Sequence, residues 1–362
     1  MTAIKKVWGV AAALSLGVAM TAATPIANAQ EPFRLIVTEL EAPLVPNSVM
    51  ILARDLGYFE AEGVNVELVQ VTDTPLAVAA LQAGEGEMAN VALDAALLLV
   101  ANGILDLRAV ASPDKFLPFL IACKDDVTEV AGLAGRTFGV ARVGSLDYTL
   151  SNMVMNSNGV DPTAVEFVAI GAPAARGEAL AAGQIDCTTM SIGVWLSMPS
   201  HTGLHILVNV ADYGEAAPVV NKVNIVTAET LANRGDEVEG VIRALIKLAR
   251  DFNANPQAWV DAMLVARPDQ TAEVLGQLAN TFVGAWSVNG GLNADQLNFA
   301  VDQIFGGADF AGLAKPELAG WVDGGPICHV LADLGIEYDA DVGGADMDGA
   351  GANVGGGMCT AM

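Results

Sequence analysis

The chain has 362 residues with 17 basic and 42 acidic side chains, for a formal net charge of −25. Hydrophobic residues make up 53% and charged ones only 16%, too apolar a mixture for a disordered chain and enough for two domains or two lobes of one. So negative a balance, with no basic patch, excludes nucleic acid and anionic membrane surfaces as natural partners.

The first residues read as an export address. Lys5 and Lys6 precede an apolar run from Val7 to about Ala23, and Ala27-Asn28-Ala29 supplies the small-x-small pattern of a cleavage site, so residues 1–29 are expected to be a signal peptide cut before Gln30. A mature strand follows at Arg34 to Thr38. Next comes a loop ending in Asn47-Ser48, two natural N-caps for a helix from Val49 to Leu56. Val64 to Leu68 alternates with period two as a strand does; Pro75 to Ala83 reads as a helix and Glu87 to Leu93 as a strand. The series then repeats: strand Arg136 to Ala141, helix from Gly144-Ser145 to Met155, strand Ala164 to Ile170, helix Arg176 to Ala182. Ala80-Leu81-Gln82-Ala83-Gly84 with Glu87 matches Ala179-Leu180-Ala181-Ala182-Gly183 with Asp186 at a constant offset of 99, an internal repeat.

Alternating strands and helices predict an α/β fold of two lobes, each a mostly parallel sheet with helices on both faces. Ligands in such sheets sit beyond the carboxyl ends of the strands, here in a cleft between the lobes. Asp114 to Cys123 and Asp212 to Val226 are the natural crossings. The first lobe is expected to take residues 30–116 and 219–335 and the second 117–218. Helical apolar spacing recurs at Asp236 to Asn253, Pro256 to Ala266, Gln270 to Asn280 and Ala294 to Phe305. The acidic, glycine-rich tail 336–362 is expected to be disordered. Cys123, Cys187, Cys328 and Cys359 allow three disulfide pairings, one of which, Cys328 with Cys359, would pin the tail; free thiols are the alternative.

Four stretches carry a resemblance: Leu56-Gly57-Tyr58-Phe59-Glu60-Ala61-Glu62-Gly63-Val64, Leu81-Gln82-Ala83-Gly84, Leu133-Ala134-Gly135-Arg136-Thr137-Phe138-Gly139-Val140, and Ala179-Leu180-Ala181-Ala182-Gly183-Gln184-Ile185-Asp186. In this order, over about residues 33–335, the chain resembles the nitrate/sulfonate/taurine and thiamine-pyrimidine-precursor group of ABC-transporter substrate-binding proteins. The resemblance implies a periplasmic-binding-protein fold of the type II kind, a monomer closing two lobes on a small-molecule solute, and an ABC permease in the inner membrane as partner. It implies no enzyme activity and no cofactor.

Carried over by segment, the resemblance places ligand contacts at Asn47 and Ser48, at Asp94, at Gly144, Ser145 and Asp147, and at Ser191, Gly193 and Trp195, with Arg142 a further contact for an anion. Each has a structural alternative. Ser48, Ser145, Asp147 and Asp94 could cap helices, Trp195 could pack in the core rather than stack on a planar ligand, and Arg142 could form a surface ion pair. Carboxylates at Asp94 and Asp147, with Glu39 and Glu41 near the first loop, favour a nitrogen-containing ligand such as a pyrimidine or amine. The alternatives are a sulfonate, nitrate or an aromatic or aliphatic acid, or a ligand-presenting subunit of a membrane sensor. His201 and His205 have the i,i+4 spacing of a metal pair, but the strand-like alternation of His205 to Val210 and the intervening Gly203 speak against one, and His329 beside Cys328 lacks two further ligands.

Overall fold

The computed structural model describes residue 2 and residues 31–115 and 118–336. The expected signal peptide, apart from residue 2, and the tail beyond residue 336 lie outside the described residues, as does Cys359. The first half of the chain runs β1 (Phe33–Val37), α1 (Val49–Asp55), α2 (Tyr58–Ala61), β2 (Val66–Gln70), α3 (Thr74–Gln82), β3 (Met88–Ala92), α4 (Leu93–Ala101) and β4 (Leu107–Ala111). It then crosses to β5 (Phe119–Lys124), β6 (Thr137–Val140), α5 (Leu146–Ser157), β7 (Glu166–Ala169), α6 (Pro173–Ala181), β8 (Cys187–Ser191), α7 (Ile192–Ser197) and β9 (Leu204–Val208). After α8 (Val210–Ala216) the chain returns through β10 (Lys222–Thr227) and ends in α9 (Ala228–Ala254), α10 (Pro256–Ala266), α11 (Ala272–Thr281), α12 (Ala294–Ile304) and α13 (Gly325–Leu334).

Two five-stranded sheets result, ordered β2-β1-β3-β10-β4 and β7-β6-β8-β5-β9. Their topologies correspond position by position. In each, the first three strands are parallel, and one antiparallel strand, β10 or β5, is wedged between the third and fifth. That strand is the one entered directly from the other lobe, so the two crossings tie the lobes together at the sheet interiors. Inner strands β3, β8 and β10 are buried at consecutive residues, which requires cover on both faces, whereas the edge strands β2 and β7 are partly exposed.

The sequence repeat has a structural cause. Helices α3 and α6 both end at a glycine with positive φ, Gly84 and Gly183, where a side chain would strain the turn. The acidic residue three positions on then closes the next strand against the first. Glu87 Oε2 accepts the Arg34 N–H at 2.6 Å, and Asp186 Oδ2 accepts the Thr137 N–H at 3.0 Å. Burial alone would raise the Asp186 carboxyl, but hydrogen bonds from Lys124 and Thr137 outweigh it and hold the group down at about 2.

Some boundaries differ from the sequence reading for local reasons. The second strand starts at Val66 rather than Val64, because Val64 N–H still bonds back to Phe59 O in the turn that ends α2. Helix α9 starts upstream of Asp236, with a Thr227 cap and a kink at Arg234. Cys123 and Cys187 face each other on β5 and β8 and form a disulfide; Cys328 is also disulfide-bonded. Among the described residues, no helix is long and apolar enough to cross a membrane.

Candidate functional site

The carboxyl ends of β1 and β3 carry a buried polar cluster. Because β10 runs antiparallel, its first residue, Lys222, lies opposite Ala92 at the end of β3. There the Lys222 ammonium pairs with Glu39 Oε1 in the loop after β1 and donates to Thr38 Oγ1. The same Glu39 oxygen accepts the Asn47 amide at 3.3 Å. Asp114, 1% exposed in the crossing from β4 to β5, lies within the electrostatic reach of Lys222 and Glu39 and beside the side chain of Asn221. Burial pushes its carboxyl up to about 7, against the pull of Lys222.

Asn47 and Ser48 do not cap α1, which corrects the sequence expectation. They sit in a one-turn 3-10 helix, Pro46–Ser48, whose helical backbone at Ser48 turns the hydroxyl away from the α1 amides. Ser48 is wholly buried and accepts the indole N–H of Trp259 at 2.8 Å. Trp259 in turn packs with Phe282 and Trp286, so the loop after β1 is anchored to the C-terminal helices.

Across the cleft, Ser145 precedes α5 but makes no side-chain cap bond. Its Oγ lies 2.6 Å from Arg142 O and 2.5 Å from Asp147 Oδ1. Asp147 Oδ2 accepts the Ala141 N–H at 2.9 Å and the Arg176 guanidinium at 2.8 Å. Arg176 is 2% exposed; the same Nη1 reaches Gly171 O, while its Nε has no partner. Burial holds Arg176 below its ordinary value, with Asp147 opposing. Behind this pair Ser151 and Thr189 share a hydrogen bond at 2.8 Å, next to the fully buried Tyr213, whose hydroxyl burial pushes upward.

Asp94, in the first turn of α4, connects the two halves. Burial raises its carboxyl, the Ala95 N–H and the charge of Arg142 pull it down, and the charge of Asp147 pushes it up, so this first-sheet carboxylate feels both second-sheet groups. Asp94 forms no ion pair among the described residues, since Arg142 bonds instead to Asp309 at 2.9 Å beside Gly144.

Ser191 caps α7, accepting the Val194 N–H at 3.3 Å. Gly193 packs against the loop after β1 so closely that a Cβ built there would lie 2.4 Å from Leu44 O. Trp195 is 7% exposed and stacks on His201 with centroids 4.1 Å apart, so its ring is used inside the second lobe rather than offered to a planar ligand. His205 lies 3.6 Å from Asp125 and His329 2.7 Å from Glu239, and no metal-binding cluster occurs among the described residues. Around Leu44 and Gly193 opens a cavity of about 620 Å³. Its walls are Pro43–Val45, Arg267 and Gln270 on one side and residues of α6, α7 and 198–200 on the other.

The structure therefore gathers Asp94, Arg142, Ser145 and Asp147 at one place and Ser191 and Gly193 at another, while Ser48 and Trp195 turn into the core. Sequence reasoning missed Arg176, Tyr213, Lys222 and the side chain of Asp114. A signal existed for Arg176, which stands four residues before Leu180 on the buried stripe of α6, where a charge needs a partner.

The family model described as NMT1/THI5 like matches residues 47–259. No curated protein matches the sequence. Among solved structures, the alkanesulfonate-binding protein SsuA from Xanthomonas axonopodis pv. citri bound to MOPS is 16% identical with a TM-score of 0.64, over 81% of this chain and 98% of that one. The periplasmic aliphatic sulphonate binding protein SsuA from Escherichia coli is 15% identical with a TM-score of 0.65, over 80% and 96%. The desulfurization enzyme DSZB is 15% identical with a TM-score of 0.60, over 83% and 99%. At these identities the likeness is one of fold.

Proposed function

The chain belongs to the NMT1/THI5 like family, and from that premise we propose that it is an exported solute-binding protein that delivers a small ligand to an ABC importer by closing two lobes. Residues 30–116 and 219–335 form one lobe in this reading and 117–218 the other, turning about the two crossings. That two neighbours of the same fold are named as sulfonate-binding proteins, one of them periplasmic, supports the solute-binding part of this reading. The preferred ligand is nitrogen-containing, a pyrimidine or an amine. The observation that carries this preference is Asp94, a partly desolvated carboxylate in the first turn of α4 that forms no ion pair among the described residues and with which a ligand N–H or ammonium would pair. The unpartnered Nε of Arg176 favours a second reading, in which a sulfonate, nitrate or carboxylate is held from the other lobe.

Thermal-shift and calorimetric titration of the protein with amines, pyrimidines, nitrate, sulfonates and aromatic acids separates the two. An amine or pyrimidine should raise the melting temperature by mass action, and Asp94→Asn should weaken that ligand at least tenfold. Stabilisation by anions alone, unaffected by Asp94→Asn, would overturn the preference and leave the Arg176 reading. Because a neighbour of this fold is an enzyme, the bound compound should also be recovered chemically unchanged; turnover would replace the transport role.

A further inference from the structure

We propose that Asp309 is a positioning residue for the ligand site: by holding Arg142 it keeps that cation off Asp94, so that Asp94 stays open to a nitrogen-containing ligand. This rests on the Asp94 reading above and deepens it by naming the residue that sets the charge preference of the site.

The charged side chains around Asp94 differ in how far they are committed. Asp147 is engaged by Arg176, the Ala141 N–H and Ser145, and Arg176 is buried with it. Arg142 is the cation left to be shared: its charge is felt at Asp94, while its guanidinium bonds to Asp309 at 2.9 Å. In the two-lobed reading Asp94 and Asp309 belong to the first lobe and Arg142 to the second, so closure brings one cation to two carboxylates. Desolvation decides between them. Arg142 and Asp309 are 57% and 46% exposed and keep much of their water as a pair, whereas Asp94 is a buried carboxylate, and joining it would strip water from the guanidinium as well. Asp309 is also held in place. It stands on the one-turn 3-10 helix Ala308–Phe310, where the buried Phe310 packs on Phe305 with centroids 4.7 Å apart. Gly144, with φ of 85°, presents bare backbone to it, so that Asp309 Oδ2 lies 3.4 Å from where a Cβ would stand. An exposed pair of this kind is individually weak, but here it has only to outcompete a carboxylate whose pairing demands desolvation.

The test follows Asp94 and ligand binding in the wild type, Asp309→Asn, Arg142→Gln and the double variant. Both side chains are exposed, so neither substitution disturbs the core. In the ligand-free proteins, carbon-13 NMR reads the Asp94 carboxyl, identified by its absence from Asp94→Asn. Asp309→Asn releases Arg142 to Asp94, whose carboxyl should then titrate about 1 pH unit lower, and adding Arg142→Gln should abolish that drop. Calorimetric titration with propylamine, cytosine and nitrate reads the ligand side. A nitrogen compound that binds the wild type should bind Asp309→Asn about fivefold more weakly, nitrate should lose no affinity, and the double variant should bind as Arg142→Gln does. An effect of Asp309→Asn that is the same with and without Arg142→Gln, or no effect on a compound that binds the wild type, would overturn the role of Asp309 and leave the Asp94 reading standing. Failure of propylamine and cytosine to bind any of the four proteins would remove the Asp94 reading and this role with it.

Discussion

Asp114 is a buried carboxyl whose protonation bears on how stability changes with pH. Its carboxyl is buried beside Lys222, Glu39 and Asn221, and burial outweighs the pull of Lys222 and Asn221, so that its value of about 7 in the fold stands well above that of an unfolded aspartate. The folded state therefore holds a proton that the unfolded chain has released between about pH 4 and pH 7. Stability from this group is full below about pH 4 and is lost as pH rises through 7. Replacing Asp114 by Asn should raise the free energy of unfolding at pH 8, by an amount on the order of 3 kcal/mol, and with it the melting temperature, and change both little at pH 4. Scanning calorimetry at both pH values checks this, and equal effects would show that the charge is not the cause. Ser48→Ala belongs at the same scale. It strands a buried indole N–H and should cost about 1–3 kcal/mol in chemical denaturation. The Ser48 hydroxyl could not be assigned from the sequence, because its partner Trp259 lies 211 residues away.

At the level of elements, the strand–helix alternation and the repeat around Gly84 and Gly183 were legible because they depend on neighbours within a few positions. The pairing of Cys123 with Cys187 was not, since it requires β5 to lie antiparallel to β8, a consequence of the chain crossing between lobes. Replacing both cysteines by alanine opens a loop with a sequence separation of 64 and should cost about 2–4 kcal/mol, measured by guanidinium unfolding. Gly193 tests the joint between the loop after β1 and α7. A methyl group there collides with Leu44 O, so Gly193→Ala should leave both lobes folded but hold them apart. Small-angle scattering with ligand present should show the compaction of the wild type and not of the variant; equal compaction would mean that Leu44 moves aside.

Over the whole molecule, 42 acidic against 17 basic residues repel one another across the surface of a compact fold. Salt up to about 1 M screens that repulsion, so the melting temperature should hold or rise with added sodium chloride, and a steady fall would point to ion pairs as the dominant electrostatic effect. The same charge bears on recognition. Arg176 and Lys222 are paired with Asp147 and Glu39, each in a place where an unpaired cation would be costly.

By itself the sequence determined the two α/β lobes, the crossings and the acidic character of the strand ends, because hydrophobic period, turn glycines and charge are properties of short segments. Only the tertiary structure decided where the polar side chains at the strand ends point. Asp94 and Asp147 are held by backbone N–H groups at helix and strand ends, whereas Ser48 and Trp195 turn inward to Trp259 and His201. It also decided where Arg176 and Lys222 lie, through ion pairs with residues 29 and 183 positions away. A side chain takes the direction in which its polar atoms find partners and its apolar atoms leave water, and those partners come from distant parts of the chain.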